Sequence, residues 1–151
     1  MVENIKHNDQ IVARIIGSEE ERGGFKFFSD DCDALQIARW NHPKGYQCKP
    51  HIHNESPKTI YMVEEAIFVR GGELRVTFYG EDGEPIATRI LREGDICHTL
   101  DCGHGYEVLT DDTRVFEFKN GPFPGDDEYD KERTLLNGLL DPNNFYAHEQ
   151  V

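Results

Sequence analysis

Positive charge is what this sequence is short of. Sixteen lysines and arginines face 29 aspartates and glutamates, for a formal net charge of −13. A field of that sign repels phosphate backbones and anionic lipid, so neither nucleic acid nor a membrane surface is an expected partner. Long apolar runs are missing too, and no stretch approaches the roughly 20 apolar residues that span a bilayer. Residues 1–10 mix Glu3, Lys6, His7 and Asp9 into a polar opening rather than the apolar core of a secretory signal. Cysteine is sparse. Cys32, Cys48, Cys97 and Cys102 lack the regular spacing of a disulfide framework and read as free thiols. Together these absences predict a cytoplasmic protein.

What is present is a chain of 151 residues, enough for one domain with a real core and cramped for two. Residues 11–16, 24–28 and 34–40 read as short strands, and 42–45 (His-Pro-Lys-Gly) as a turn. Residues 65–70 are strand-like and end at Gly71-Gly72. Residues 73–79 alternate Leu74, Val76 and Phe78 against polar neighbours, which is the period of a half-buried strand. A tight turn over 80–84 leads into 85–91, and Gly94-Asp95 into 96–100. Residues 106–109 and 114–119 are expected to pair across a turn at 110–113. Many short strands separated by Gly and Asp turns imply an all-β barrel or sandwich. After the break at 120–125, Asp126, Asp127 and Glu128 are suited to the positive end of a helix over about 126–140, with Tyr129, Leu135, Leu136 and Leu139 as its buried stripe.

The chemistry concentrates in histidine. His51 and His53, at i and i+2, share one face if the segment is an extended strand. Glu65 shares the face of Ile67 and Val69 on a later strand, and His104 opens the strand over 104–108. Three neutral imidazoles and one carboxylate suit an octahedral ion with open positions, such as Fe(II), Mn(II) or Ni(II), and zinc with a bound water fits as well. Glu64, adjacent, is the alternative carboxylate. A formal Cys2His2 set, Cys48, His51, Cys102 and His104, is the rival, but parity turns Cys48 away from His51. His7, His42, His98 and His148 read as solvated or structural.

This arrangement resembles the cupin superfamily, whose first motif runs Gly, five residues, His-x-His, a short gap, Glu, six residues, Gly. Gly45 and His51 are separated by five residues, and Glu65 and Gly72 by six. The departure is the gap of eleven residues, 54–64, which implies a longer loop at the barrel mouth. Gly94-Asp95 and Gly103-His104-Gly105-Tyr106 are similar to the second motif, without its proline. The segments 103–108 and 118–123, followed by Asp130-Lys131, resemble a narrower group of small single-domain bacterial cupins, some associated with surface-polysaccharide pathways.

The resemblance implies a double-stranded β-helix (jelly-roll) barrel over about 34–120 with one short C-terminal helix, and a homodimer. It also implies a divalent transition metal, Fe, Mn, Ni or Zn, held by His51, His53, Glu65 and His104. The ligand would be a small polar molecule, a sugar or organic acid. The chemistry would be of a dioxygenase or of an isomerase or epimerase, with Lys49 and Tyr106 as candidate catalytic groups. A non-catalytic sugar-binding barrel, or one stapled by a structural metal, is the other expectation.

Overall fold

The computed structural model describes residues 1–19 and 23–122, together with Thr134 and Leu136. The described residues are all β. Ten strands follow in order: β1 (Val2–His7), β2 (Gln10–Ile16), β3 (Gly24–Phe27), β4 (Ala38–Asn41), β5 (Glu65–Gly71), β6 (Glu73–Tyr79), β7 (Pro85–Arg92), β8 (Ile96–Thr99), β9 (Gly103–Val108) and β10 (Arg114–Lys119). They form three antiparallel sheets: five strands in the order β1-β2-β8-β5-β10, three in the order β7-β6-β9, and the hairpin β3-β4.

The alternation read from the sequence sets the core. Leu74, Val76 and Phe78 of β6 and Leu91 of β7 face Ala13, Ile67, Val69 and Cys97 of the larger sheet, and all eight are buried in a single cluster with Ile5 and Val12. Burying each of the large side chains contributes about 2 kcal/mol, and Phe78 is completely enclosed.

Three expectations change. β1 lies within residues 1–10, read as a polar opening to which no strand was assigned. It pairs with β2 because Asn8 and Asp9, at φ 49° and 65°, make a two-residue turn of the kind whose twist suits a hairpin. The strands at 103–108 and 114–119 do not pair with each other: β9 lies on β6 and β10 on β5. The segment between them, held by Thr113 Oγ1 donating to the Glu73 carbonyl at 3.0 Å, carries the chain from one sheet to the other. The third change is that residues 42–64 contain no strand. Pro43, Pro50 and Pro57 each remove a backbone donor, and proline also constrains the residue before it, so the segment is poorly suited to a ladder. The helix expected over 126–140 lies outside the described residues, except that an added Cβ on Gly103 would stand 2.6 Å from Leu136 Cδ1.

Gly72 is the hinge between the sheets. Its φ of +75° is unfavourable for any residue with a side chain, and an added Cβ would stand 2.5 Å from the Thr113 Cα. Gly72→Ala is therefore expected to destabilise the fold by about 2 kcal/mol or more, read as a lower denaturant midpoint at unchanged slope. A midpoint equal to wild type would remove the hinge from the account.

Candidate functional site

The register of the larger sheet puts one row of residues side by side. Ala13 is opposite Thr99, Thr99 opposite Glu65, and Glu65 opposite Lys119, across β2, β8, β5 and β10. Side chains alternate along each strand, so this row points one way and the next row, Arg14, His98, Ala66 and Phe118, points the other. From the smaller sheet, His104 and Tyr106 of β9 pair with Phe78 and Val76 and so share their inward face.

Glu65 is where these elements meet. Its side chain is 7% exposed and that of His104 is 29% exposed. The Tyr106 hydroxyl donates to Glu65 Oε1 at 2.9 Å. His104 Nε2 stands 3.3 Å from the same oxygen, and Lys119 Nζ stands 3.1 Å from Oε2. Lys119 also bridges to Glu117 at 2.8 Å. Burial alone would push the Glu65 carboxyl up. The hydrogen bond and charge of His104, and then those of Lys119, outweigh it and hold the group at about 2. Burial, the neighbouring Cys97 and Glu65 itself push the Tyr106 hydroxyl up, so it remains a neutral donor at physiological pH. Burial likewise pushes Cys97 and Cys102 up to about 12, which keeps both as thiols.

Glu64 and Glu65 are neighbours with opposite commitments. The Glu64 carboxylate accepts the backbone N–H of Ala34 at 2.8 Å and of Leu35 at 2.9 Å, and the Nε2–H of His98 at 3.1 Å. Since the Glu64 carboxylate accepts there, Nε2 carries the His98 proton, and burial, opposed by Glu64, lowers the affinity of His98 for a second one. Beside it the buried Arg14 holds Asp33 at 2.6 Å and Asp30 at 2.5 Å. Strand parity thus separates the two glutamates: Glu65 faces His104 and Tyr106, Glu64 faces the outer side of the sheet.

Of the residues singled out from the sequence, Glu65, His104 and Tyr106 come together. His51, His53 and Lys49 do not join them. All three are exposed in the segment without strands, with the two imidazole rings 5.0 Å apart. His51 Nδ1 lies 2.8 Å from the Lys49 carbonyl oxygen. A carbonyl can only accept, so Nδ1 carries the proton and the Nε2 lone pair is left for a ligand. Among the described residues no three His, Cys, Asp or Glu side chains are grouped closely enough to hold a metal ion. The Cys2His2 alternative is likewise not assembled, with Cys48 exposed and Cys102 Sγ directed to the Val12 carbonyl at 3.5 Å.

No protein-family model, no curated protein and no solved structure matches the chain. Lys119 is the member of the cluster that sequence reasoning missed, since it entered only as the last residue of the strand expected over 114–119. Its signal was available in the alternation Val115, Glu117, Lys119, which places it on the face of Val69 and Glu65 once β10 pairs with β5.

A carboxyl whose folded value lies below the unfolded 4.5 contributes stability above that pH and loses it as pH falls towards about 2. The wild-type advantage over Glu65→Gln is therefore expected to be largest near neutrality, up to about 3 kcal/mol, and to shrink between pH 4.5 and 2. Denaturant unfolding across that range checks it, and an advantage that does not change with pH would contradict the assignment.

Proposed function

We propose that the protein is a jelly-roll cupin that binds a small polar molecule, a sugar or an organic acid, beside Glu65 and the partly exposed His104, and acts on it with a divalent transition metal. The carrying observation is the convergence on Glu65: one buried, ionised carboxylate contacted by an imidazole, a neutral phenol and an ammonium from β9 and β10. Perturbed titratable groups gathered at one place are a recurrent mark of a functional site, and His104 among them is partly exposed.

The donor chemistry suits Fe, Mn, Ni or Zn, and His51, His53, Glu65 and His104 would hold the ion. When bound, it would polarise a carbonyl or hydroxyl oxygen of the ligand or activate water. Two of the four donors already stand at 3.3 Å, close to the spacing of about 3 Å between neighbouring ligands on an ion bound at about 2.1 Å. The other two require residues 42–63 to fold over Glu65 and His104. That segment leaves Ile52 88% and Tyr61 90% exposed, apolar surface that such a closure could cover.

The protein's own groups supply the rest. Tyr106, held neutral with its one proton on Glu65, can accept a hydrogen bond from a ligand hydroxyl, and donates one to a ligand oxygen only by turning that proton away from Glu65. Lys119 balances the Glu65 charge, and Lys49 would arrive with His51 to meet a polar or anionic ligand group. Among the reactions open to a cupin, this set of proton donors and acceptors suits an isomerase or epimerase better than a dioxygenase. A homodimer is what the resemblance implies, and a cytoplasmic setting is what the composition leads us to expect.

One observation favours a second reading, a metal-free binder of a sugar or acid. Both Glu65 oxygens already have partners, and His104 Nε2 is turned to the carboxylate itself. Elemental analysis after loading with each metal in turn separates the two. The metal reading expects about one tightly held ion per chain, lost in His51→Ala, His53→Ala, Glu65→Gln and His104→Ala. Retention in the His51 and His53 variants would overturn the ligand set. A folded wild type that holds no ion but binds sugars or organic acids in calorimetry would establish the second reading.

A further inference from the structure

The outer side of the sheet behind Glu65 is more heavily built than a solvent face requires. The loop 28–37, which joins β3 to β4, is knitted to itself. Phe28 N–H donates to the Ile37 carbonyl at 2.8 Å, Ile37 N–H to Ser29 Oγ at 3.0 Å, and Gln36 Nε2 to the Asp30 and Asp33 carbonyls at 2.9 and 2.7 Å. It is then tied down at two places. Arg14 of β2, 4% exposed at its side chain, grips Asp30 and Asp33. Glu64 receives the Ala34 and Leu35 N–H groups and is itself held by His98 of β8.

Glu64 is also gripped from the other flank. Asn120, just past β10, accepts the Glu64 N–H at 2.9 Å and donates through Nδ2 to the Met62 carbonyl at 3.0 Å. The residue before the site carboxylate is thus fixed by its side chain to the loop and by its backbone to the end of β10. Glu65 is the first residue of β5, where a strand entered from an irregular segment would otherwise fray. The same pairing of faces recurs on the neighbours. His98 serves the loop and Thr99 stands opposite Glu65, while Asn120 holds Glu64 and Lys119 holds Glu65.

We infer that loop 28–37 is a strap whose docking on Glu64 and Arg14 sets the position of the Glu65 carboxylate, so that strap and site are energetically coupled. Loosening the strap loosens Glu65 from Tyr106 and His104, and by linkage whatever fixes Glu65 tightens the strap. Glu64, His98 and Arg14 are positioning residues that never touch the ligand. The inference rests on Glu65 being the centre of the functional site, but its test uses neither metal nor ligand, so the two can fail separately.

Two readouts on the intact chain decide it. One is amide hydrogen exchange at Ala34 and Leu35; the other is the 19F resonance of Tyr106 in protein labelled with 3-fluorotyrosine, assigned with Tyr106→Phe. Glu64→Gln is expected to speed exchange at both amides by about tenfold or more, the factor for weakening charge-assisted hydrogen bonds, and to shift the Tyr106 resonance. Arg14→Lys, which leaves both glutamates in place, is expected to do the same and separates strap loosening from the loss of a charge beside Glu65. It also serves if Glu64→Gln does not fold. Glu65→Gln is expected to speed exchange at Ala34 and Leu35 in return, and Asp82→Asn, in the β6–β7 turn, to do neither. Faster strap exchange in Arg14→Lys with an unmoved Tyr106 resonance would overturn the inference, as would unchanged strap exchange in Glu65→Gln.

Discussion

The structure depends on keeping one carboxylate charged where water is scarce. Glu65 is buried between two sheets, and a lone ionised group there would neutralise or destabilise the fold. It stays ionised because the Tyr106 hydroxyl, the His104 imidazole and the Lys119 ammonium come to it from strands brought together by the hinge at Gly71-Gly72 and the crossing at 110–113. The fold's topology and the charge state of Glu65 are therefore one problem. The strands pair so that a carboxylate, a phenol and an ammonium close on each other, and those contacts help hold the two sheets together.

Consecutive residues on opposite faces give this arrangement its economy. Glu64 and Glu65, His98 and Thr99, Lys119 and Asn120 each divide between an outer network and the inner cluster. The outer network buries Arg14 and His98 and pins a loop; the inner cluster leaves His104 partly exposed. A shift of register by one residue in β5 would exchange the two glutamates and dismantle both networks at once.

Much of this was legible in the sequence because alternation carries it. Leu74, Val76 and Phe78 declared their face, the parity of Glu65 with Ile67 and Val69 put it on the inner side of its strand, and Gly71-Gly72 marked the break between strands. Other features depend on long-range pairing, which local pattern does not encode. β9 and β10 looked like a hairpin across 110–113, yet each found its partner some 30 to 50 residues earlier. β1 carries a single buried residue, Ile5, too weak a signal beside its polar neighbours, although Asn8-Asp9 offered the turn. The His-x-His segment was read as a strand from its residue spacing; its prolines suit it poorly to a ladder, and among the described residues no strand pairs with it. Lys119 became visible only once the partner of β10 was known.

The ionised state of Glu65 can be read directly. The chemical shift of its side-chain carboxyl carbon, followed by 13C NMR in the folded protein from neutral pH downwards, reports when the proton arrives. A midpoint near 2 is expected from the contacts with His104 and Lys119. A midpoint at the ordinary 4.5 would mean that those groups do not converge on Glu65, and the candidate site would lose its centre.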